Sequence, residues 1–307
     1  MGDDPMKCAL AGLVLVLSLT APAVAQDRQT LGWGRIFDND AIGDGQDRWH
    51  TGSYTVSVLQ GTGWTGNLPS RFGDLLEYRA SAQTTAPANL VNPGTADRLY
   101  AGALTLGLHS HALWQGFDTS LGGDLVLTGP MTGLRQFQSA AHDAIGIAGP
   151  AASIAQIGNA LYPTLTAEAA RSIAFGDHVT IRPFVAAQAG VETYLRAGGD
   201  VVIGSFGRGA MMLRDDVTGQ RYRAIPGDPV PALSLTLGGD VARVYNSALL
   251  PSGGPVAAND TRTRLRAGVQ WQGQSASAFY GVTYLGPEFS SQPEGQLVGS
   301  LNVSLRF

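Results

Sequence analysis

Three groups of residues in this sequence carry side chains capable of acid–base or metal chemistry. The first lies between Gly129 and Gly146, the one stretch with helical periodicity, where Leu134, Phe137, Ala141 and Ile145 share a stripe. Arg135, Gln138 and His142, at i, i+3 and i+7, share another face, and Gly146 is placed to end the helix. A guanidinium, an amide and an imidazole side by side can bind an anion, orient a polar group and move a proton. The same pattern also fits a solvated face with an incidental histidine. The second group is Asn39 and Asp40, with Thr51 across a short loop that contains Asp47-Arg48-Trp49-His50. Their oxygens are hard ligands of the kind calcium takes; the alternative is an Asx-turn beside an inward-facing threonine. The third group, Asp97-Arg98-Leu99-Tyr100-Ala101-Gly102, reads as a salt bridge holding a loop.

These groups are far apart in sequence, so the elements between them decide whether they meet. The tail from Gly295 to Phe307 alternates strictly: Leu301, Val303, Leu305 and Phe307 on one face, Ser300, Asn302, Ser304 and Arg306 on the other. In lipid every backbone donor and acceptor must be paired within the protein, so a sheet with one apolar and one polar face survives only when closed on itself. Lys7, the apolar run from Cys8 to Leu19 and Ala23-Val24-Ala25 before Gln26 read as a signal peptide over residues 1–25, leaving 26–307 as one outer-membrane barrel domain. The acidic Gly2-Asp3-Asp4-Pro5 suits a charged leader badly, so translation is expected to begin at Met6.

The rest of the composition narrows the class. No segment approaches the ~20 apolar residues of a spanning helix, yet 44% of residues are hydrophobic and 41 are glycine, which favours strands over helices as the membrane-crossing element. Cys8 is the only cysteine, so residues 26–307 hold no disulfide and no thiolate metal site. Lys7 is the only lysine, and the remaining cations are arginines, which suit phosphate-bearing headgroups; a GC-rich codon bias explains the same fact. A formal charge of -4 argues against nucleic acid as a partner.

Period-two segments bounded by turn residues predict an all-β transmembrane antiparallel barrel of about twelve strands with a short rim helix. The expected spans are 29–38, 51–60, 74–83, 100–111, 115–128, 163–175, 178–190, 200–214, 232–245, 262–272, 276–286 and 296–307. If the chain starts in the periplasm, loops 39–50, 84–99 and 129–162 lie on the outer rim, and Gly176-Asp177 and Gly273-Gln274-Ser275 are inner turns. The stretch 215–231 follows an even strand and is long for that side.

Taken together, the clusters resemble the outer-membrane lipid A 3'-O-deacylase family. In that family Asn-Asp ends the first strand, Asp-Arg with an aromatic and Thr opens the second, and Asp-Arg-x-Tyr-Ala-Gly opens the fourth. Its rim helix reads Gly-Pro, then Gln-x-x-x-His, then Gly four residues on, which Gly129-Pro130, Gln138, His142 and Gly146 match without a gap. The tail from Tyr284-Leu285-Gly286-Pro287-Glu288-Phe289 to Phe307 is also similar.

The resemblance implies a monomeric, calcium-dependent esterase in the bacterial outer membrane that removes the 3'-linked acyloxyacyl group of lipid A, the lipid anchor of lipopolysaccharide. It implies His142 as general base, Gln138 as orienting group, and Asn39, Asp40 and Thr51 as calcium ligands. Arg135 and Arg98 are the expected substrate contacts. The chain departs from the family at two places: Ala148 stands where an acidic residue follows the histidine by six, and Ala88-Asn89 replace a basic pair. Those departures keep open a catalytically inactive structural or lipid-binding barrel of the same fold; a third reading, a small passive porin, is opposed by the helix folded into 129–146.

Overall fold

The computed structural model describes residues 28–227 and 231–305; the expected signal peptide and the terminal Phe307 lie outside them. The strands are β1 (Gln29–Asn39), β2 (Trp49–Gly61), β3 (Leu75–Ala86), β4 (Ala101–Trp114), β5 (Phe117–Thr128), β6 (Ala160–Ala170), β7 (Ile173–Phe175), β8 (Val179–Ala189) and β9 (Glu192–Ile203). They continue with β10 (Met211–Arg214), β11 (Arg221–Ile225), β12 (Ala232–Ser247), β13 (Thr261–Gln272), β14 (Ala276–Leu285) and β15 (Gln296–Leu305). One α-helix, α1 (Leu134–Ile145), follows β5.

Twelve of these strands, all but β7, β10 and β11, form the closed antiparallel wall. Consecutive hairpins make most of it, β6 joins β8, and the ring closes where Phe37, Asp38 and Asn39 of β1 lie opposite Leu301, Ser300 and Gly299 of β15. The inward–outward alternation has the physical origin expected of a barrel in lipid. Leu265, Val269 and Trp271 of β13 project outward and are exposed, while Arg264, Arg266, Gln270 and Gln272 are buried in the lumen. Such a lumen is tolerable because its charges are paired, as in Arg264 Nε to Asp240 Oδ1 at 2.9 Å.

Two expected spans are corrected. Residues 163–175 are β6 and β7 separated by Arg171-Ser172, and 200–214 joins the end of β9 to β10, with β9 starting at Glu192 straight after Gly190-Val191. Gly190 lies at φ +152°, where a Cβ would stand 2.3 Å from Thr164 Oγ1, so the chain reverses there without the polar loop that marks other turns.

The long segment before β12 is a plug. Its hairpin, β10 and β11, forms a separate two-stranded sheet inside the lumen, where Met211, Leu213, Tyr222, Ala224 and Ile225 pack against Ile36, Leu59 and Leu75 of the wall. A Cβ on Gly32 of β1 would lie 2.2 Å from the Ala224 carbonyl oxygen, so only glycine lets the plug reach the wall. Gly32→Val is expected to cost about 1–3 kcal/mol of stability through overpacking, read from urea unfolding of the detergent-folded protein; unchanged unfolding would mean that the hairpin does not sit against β1.

Loops after β1, β3 and β5 share one end of the barrel with α1. The β2–β3 loop, the Gln115-Gly116 turn, the plug and the start of β1 are at the other.

Candidate active site

The first loop leaves β1 at Asn39, whose Oδ1 accepts from Ala41 N at 2.8 Å and whose Nδ2 donates to the Thr51 carbonyl at 2.6 Å. The Asx-turn considered from sequence is therefore present, and it ties Asn39 directly to Thr51. The loop is anchored on the last strand: Leu297 N donates to Asp44 Oδ2 at 3.1 Å, and Gln296 Nε2 donates to the carbonyls of Arg48 and His50 at 2.8 and 3.2 Å. Asp47 and Trp49 take positive φ values of 47° and 55°, which side-chain-bearing residues rarely adopt. The buried Trp49 indole, donating from Nε1 to Asp97 Oδ2 at 2.8 Å, locks that backbone in place.

Helix α1 lies across this loop with its faces oriented opposite to a solvated polar face. Gln138 and His142 are each 8% exposed, while Phe137 and Ile145 of the apolar stripe are each 71% exposed. His142 Nδ1 lies 3.0 Å from the Ala148 carbonyl. A carbonyl can only accept, so Nδ1 carries a hydrogen, and in the neutral ring that leaves the lone pair on Nε2. That Nε2 is 3.5 Å from Asp47 Oδ2. The Tyr100 hydroxyl donates to Gln138 Oε1 at 2.8 Å, which turns the amide nitrogen toward Asp47 Oδ1 at 3.3 Å and Thr51 Oγ1 at 3.5 Å, the outer limit of a hydrogen bond.

Asp40 is 1% exposed, and its Oδ2 accepts from Arg48 N at 2.8 Å. No cationic side chain pairs with it among the described residues. Burial first, then repulsion from Asp47 and Asp44, pushes its carboxyl up to about 8. Burial also raises Asp47, tempered by His142 and the Gln138 amide. Among the described residues no three His, Cys, Asp or Glu side chains group as a metal cluster. A cation here would have to be held by mixed carboxylate, amide, hydroxyl and carbonyl oxygens, a set that suits calcium. The buried, unpaired Asp40 carboxylate facing further acidic groups fits that role.

The structure thus gathers five of the expected site residues, His142, Gln138, Asn39, Asp40 and Thr51, at one mouth. Arg135 belongs to the same helix, lies near Tyr100, and its buried Nε has no hydrogen-bond partner. Arg98 departs from its expected substrate role. It is 1% exposed, and its Nη atoms go to Glu288 Oε2 (3.1 Å), Thr85 Oγ1 (3.1 Å) and the Leu249 carbonyl (3.2 Å), so it ties loops together out of reach of a headgroup. Burial alone would raise Glu288, but His50, Arg262 and Arg98 hold it well below the usual carboxylate range. Asp47 and Tyr100, given no role from sequence, contact His142 and Gln138 directly. Their signal was present in the Asp47-Arg48 and Tyr100-Ala101-Gly102 motifs, but spacing could not say what they touch. At the two family departures, Ala148 serves His142 through its main chain, and Asn89 Oδ1 accepts from Val91 N and Asn92 N to shape its loop.

A family model described as outer membrane protein LpxR matches residues 11–307. Among solved structures, LpxR from Salmonella typhimurium is similar with a TM-score of 0.74 and 19% identity, covering 90% of this chain and 100% of that one. A KdgM porin, at TM-score 0.39 and 8% identity, covers 90% of this chain and 98% of its own. The translocator domain of autotransporter NalP from Neisseria meningitidis, at TM-score 0.38 and 13% identity, covers 99% of this chain and 98% of that one. No curated protein sequence matches the chain.

Proposed function

The chain belongs to the LpxR family and is an integral outer-membrane β-barrel, and from that premise we propose that it is a calcium-dependent esterase removing the 3'-linked acyloxyacyl group of lipid A in the outer leaflet. The observation that carries this reading is the meeting of α1 with the first loop: His142 Nε2 is 3.5 Å from Asp47, and Gln138 of the same helix is 3.5 Å from Thr51. The exposed apolar stripe on α1 supports a lipid substrate, because Phe137 and Ile145 can rest among acyl chains while the opposite face of the same helix carries the reacting groups. All site residues come from one chain, so a monomer suffices.

In this mechanism His142 Nε2 takes a proton from water as its oxygen bonds to the ester carbonyl carbon. Asp47 then faces the imidazolium and stabilises its charge. Gln138, held by Tyr100, orients the water or the imidazole through its amide. The bond between the carbonyl carbon and the sugar oxygen breaks, and the proton on His142 passes to that departing oxygen, giving a carboxylic acid and a sugar hydroxyl. Asp40, with oxygens of Asn39 and Thr51, would hold the calcium. Calcium held there would supply fixed positive charge to stabilise the developing oxyanion.

Arg135 is the remaining substrate contact in this reading, its guanidinium, which makes no hydrogen bond or ion pair among the described residues, meeting a lipid A phosphate. Arg135→Ala is expected to raise KM about 10- to 100-fold, the size of one charge-assisted hydrogen bond, with kcat little changed; an unchanged KM in a micellar lipid A assay removes Arg135 from the site. Mass spectrometry of lipid A from cells with and without the protein tests the activity itself. Loss of the 3'-linked acyl mass supports it, and an identical acyl pattern favours the inactive barrel. The plugged lumen speaks against a passive porin.

A further inference from the structure

The barrel end opposite α1 contains a cavity of about 560 Å³ between the plug hairpin and the wall of β5 to β9, rimmed by the β2–β3 loop and residues 204–209. Its chemistry is set by a buried chain of ion pairs. Arg182 meets Glu168 at 3.0 Å and Asp118 at 3.6 Å, and Arg214 meets Glu168 at 2.8 Å and Asp200 at 2.9 Å. Arg266 pairs with Asp200 at 2.7 Å and also with Asp240, which in turn holds Arg264 and Arg196. Five arginines therefore share four carboxylates.

Beside them stands a sixth arginine. Arg221 of β11 lies opposite Arg214 in the hairpin and lines the cavity, and it makes no hydrogen bond or ion pair among the described residues. The Nε atoms of Arg182 and Arg196 are buried without a hydrogen-bond partner, that of Arg182 standing 3.6 Å from Asp118, so neither offers a donor to the cavity. Acidic groups on the facing wall are engaged, Glu77 with Arg79 (2.7 Å) and His111 (2.8 Å), Asp216 with Arg79 (3.2 Å) and Asp124 with His109 (2.8 Å). Asp215 on the lining accepts from Thr218 N (2.6 Å) and Oγ1 (2.8 Å) through Oδ2 and leaves Oδ1 without a hydrogen-bond partner.

A guanidinium that lines a cavity without a hydrogen bond, beside a chain of ion pairs rich in arginine, is stabilised by an anion that accepts several hydrogen bonds. We propose that this cavity, which opens away from the candidate active site, binds a small soluble oxyanion of the phosphate class, with Arg221 as its principal contact and Arg182 beside it. The site lies inside the lumen, so a free anion reaches it without drawing an acyl chain out of the membrane. Guanidinium forks match the oxygen spacing of a phosphate better than a spherical halide does.

The test is calorimetric titration of the full detergent-folded protein with inorganic phosphate, against chloride at equal ionic strength. Saturable phosphate binding is expected, weakened at least tenfold in Arg221→Gln and retained in Arg135→Ala, which removes only the contact proposed at the outer mouth. Without phosphate, Arg221→Gln is expected to melt at or above the wild-type Tm, because it deletes an unmatched charge; adding phosphate raises Tm in the wild type alone. Absence of phosphate-specific binding in the wild type overturns the proposal, whatever the folding of the variants. So does binding that depends on Arg135 and not on Arg221.

Discussion

His142→Ala is expected to lower acyl release from lipid A by about 10²- to 10⁴-fold, the range contributed by a positioned general base, with KM near the wild-type value. The imidazole has two neighbours, the Ala148 carbonyl and the Asp47 carboxylate, and its helix turns an apolar face outward instead of burying it in a core. Losing it therefore removes about one hydrogen bond, worth roughly 0.5–1.5 kcal/mol, and the barrel should still fold. Heat-modifiable migration in gels confirms folding, and fatty-acid release from purified lipid A in micelles gives the rate. A folded His142→Ala protein that hydrolyses at the wild-type rate would remove the imidazole from the mechanism.

Asp40→Asn is expected to abolish the response to calcium, both in rate and in stability. A ligand at 100 times its Kd stabilises a protein by about 2.7 kcal/mol, so saturating calcium should raise the wild-type Tm and leave the variant unmoved. The carboxylate also makes a pH prediction whose sign follows from its environment. Its folded pKa, about 8, is above the ordinary 3.8 because burial and the Asp47 and Asp44 charges disfavour ionisation. Between those values the folded state binds more protons than the unfolded state, so in chelator this group takes away stability as pH rises from about 4 to about 8. Calcium should flatten that slope, and Asp40→Asn should flatten it without calcium. An equally steep slope in the variant would assign the effect to other groups.

Much of this arrangement was legible in the sequence, for physical reasons particular to its parts. A wall that faces lipid on one side and a polar lumen on the other must alternate, so β13 and β15 announce themselves through Leu265–Gln272 and Leu301–Leu305. The plug does not, because β10 and β11 sit wholly inside the lumen; their apolar residues pack against Ile36 and Leu59 and carry no two-faced period. For the same reason residues 211–214 read as the end of a wall strand, 200–214, and are β10 of the plug. At the site, Gln138 and His142 were readable from helical spacing, but the orientation of α1 was not. Amphipathicity alone suggests that an apolar stripe is buried, whereas a rim helix in lipid reverses that rule. Arg98 illustrates the opposite limit: its motif reads as a salt bridge holding a loop, but spacing cannot name the partners, Glu288 and Leu249, which lie far along the chain.

The central claim is that groups from α1 and from the first loop act together on one ester. A double-mutant cycle in acyl release measures this directly, comparing His142→Ala, Asp40→Asn and the combined variant in the same micellar assay. Residues that work as a unit lose their function together, so the combined variant should be scarcely slower than the more damaging single one. Losses that simply multiply would mean that His142 and Asp40 serve separate processes, and would contradict the account.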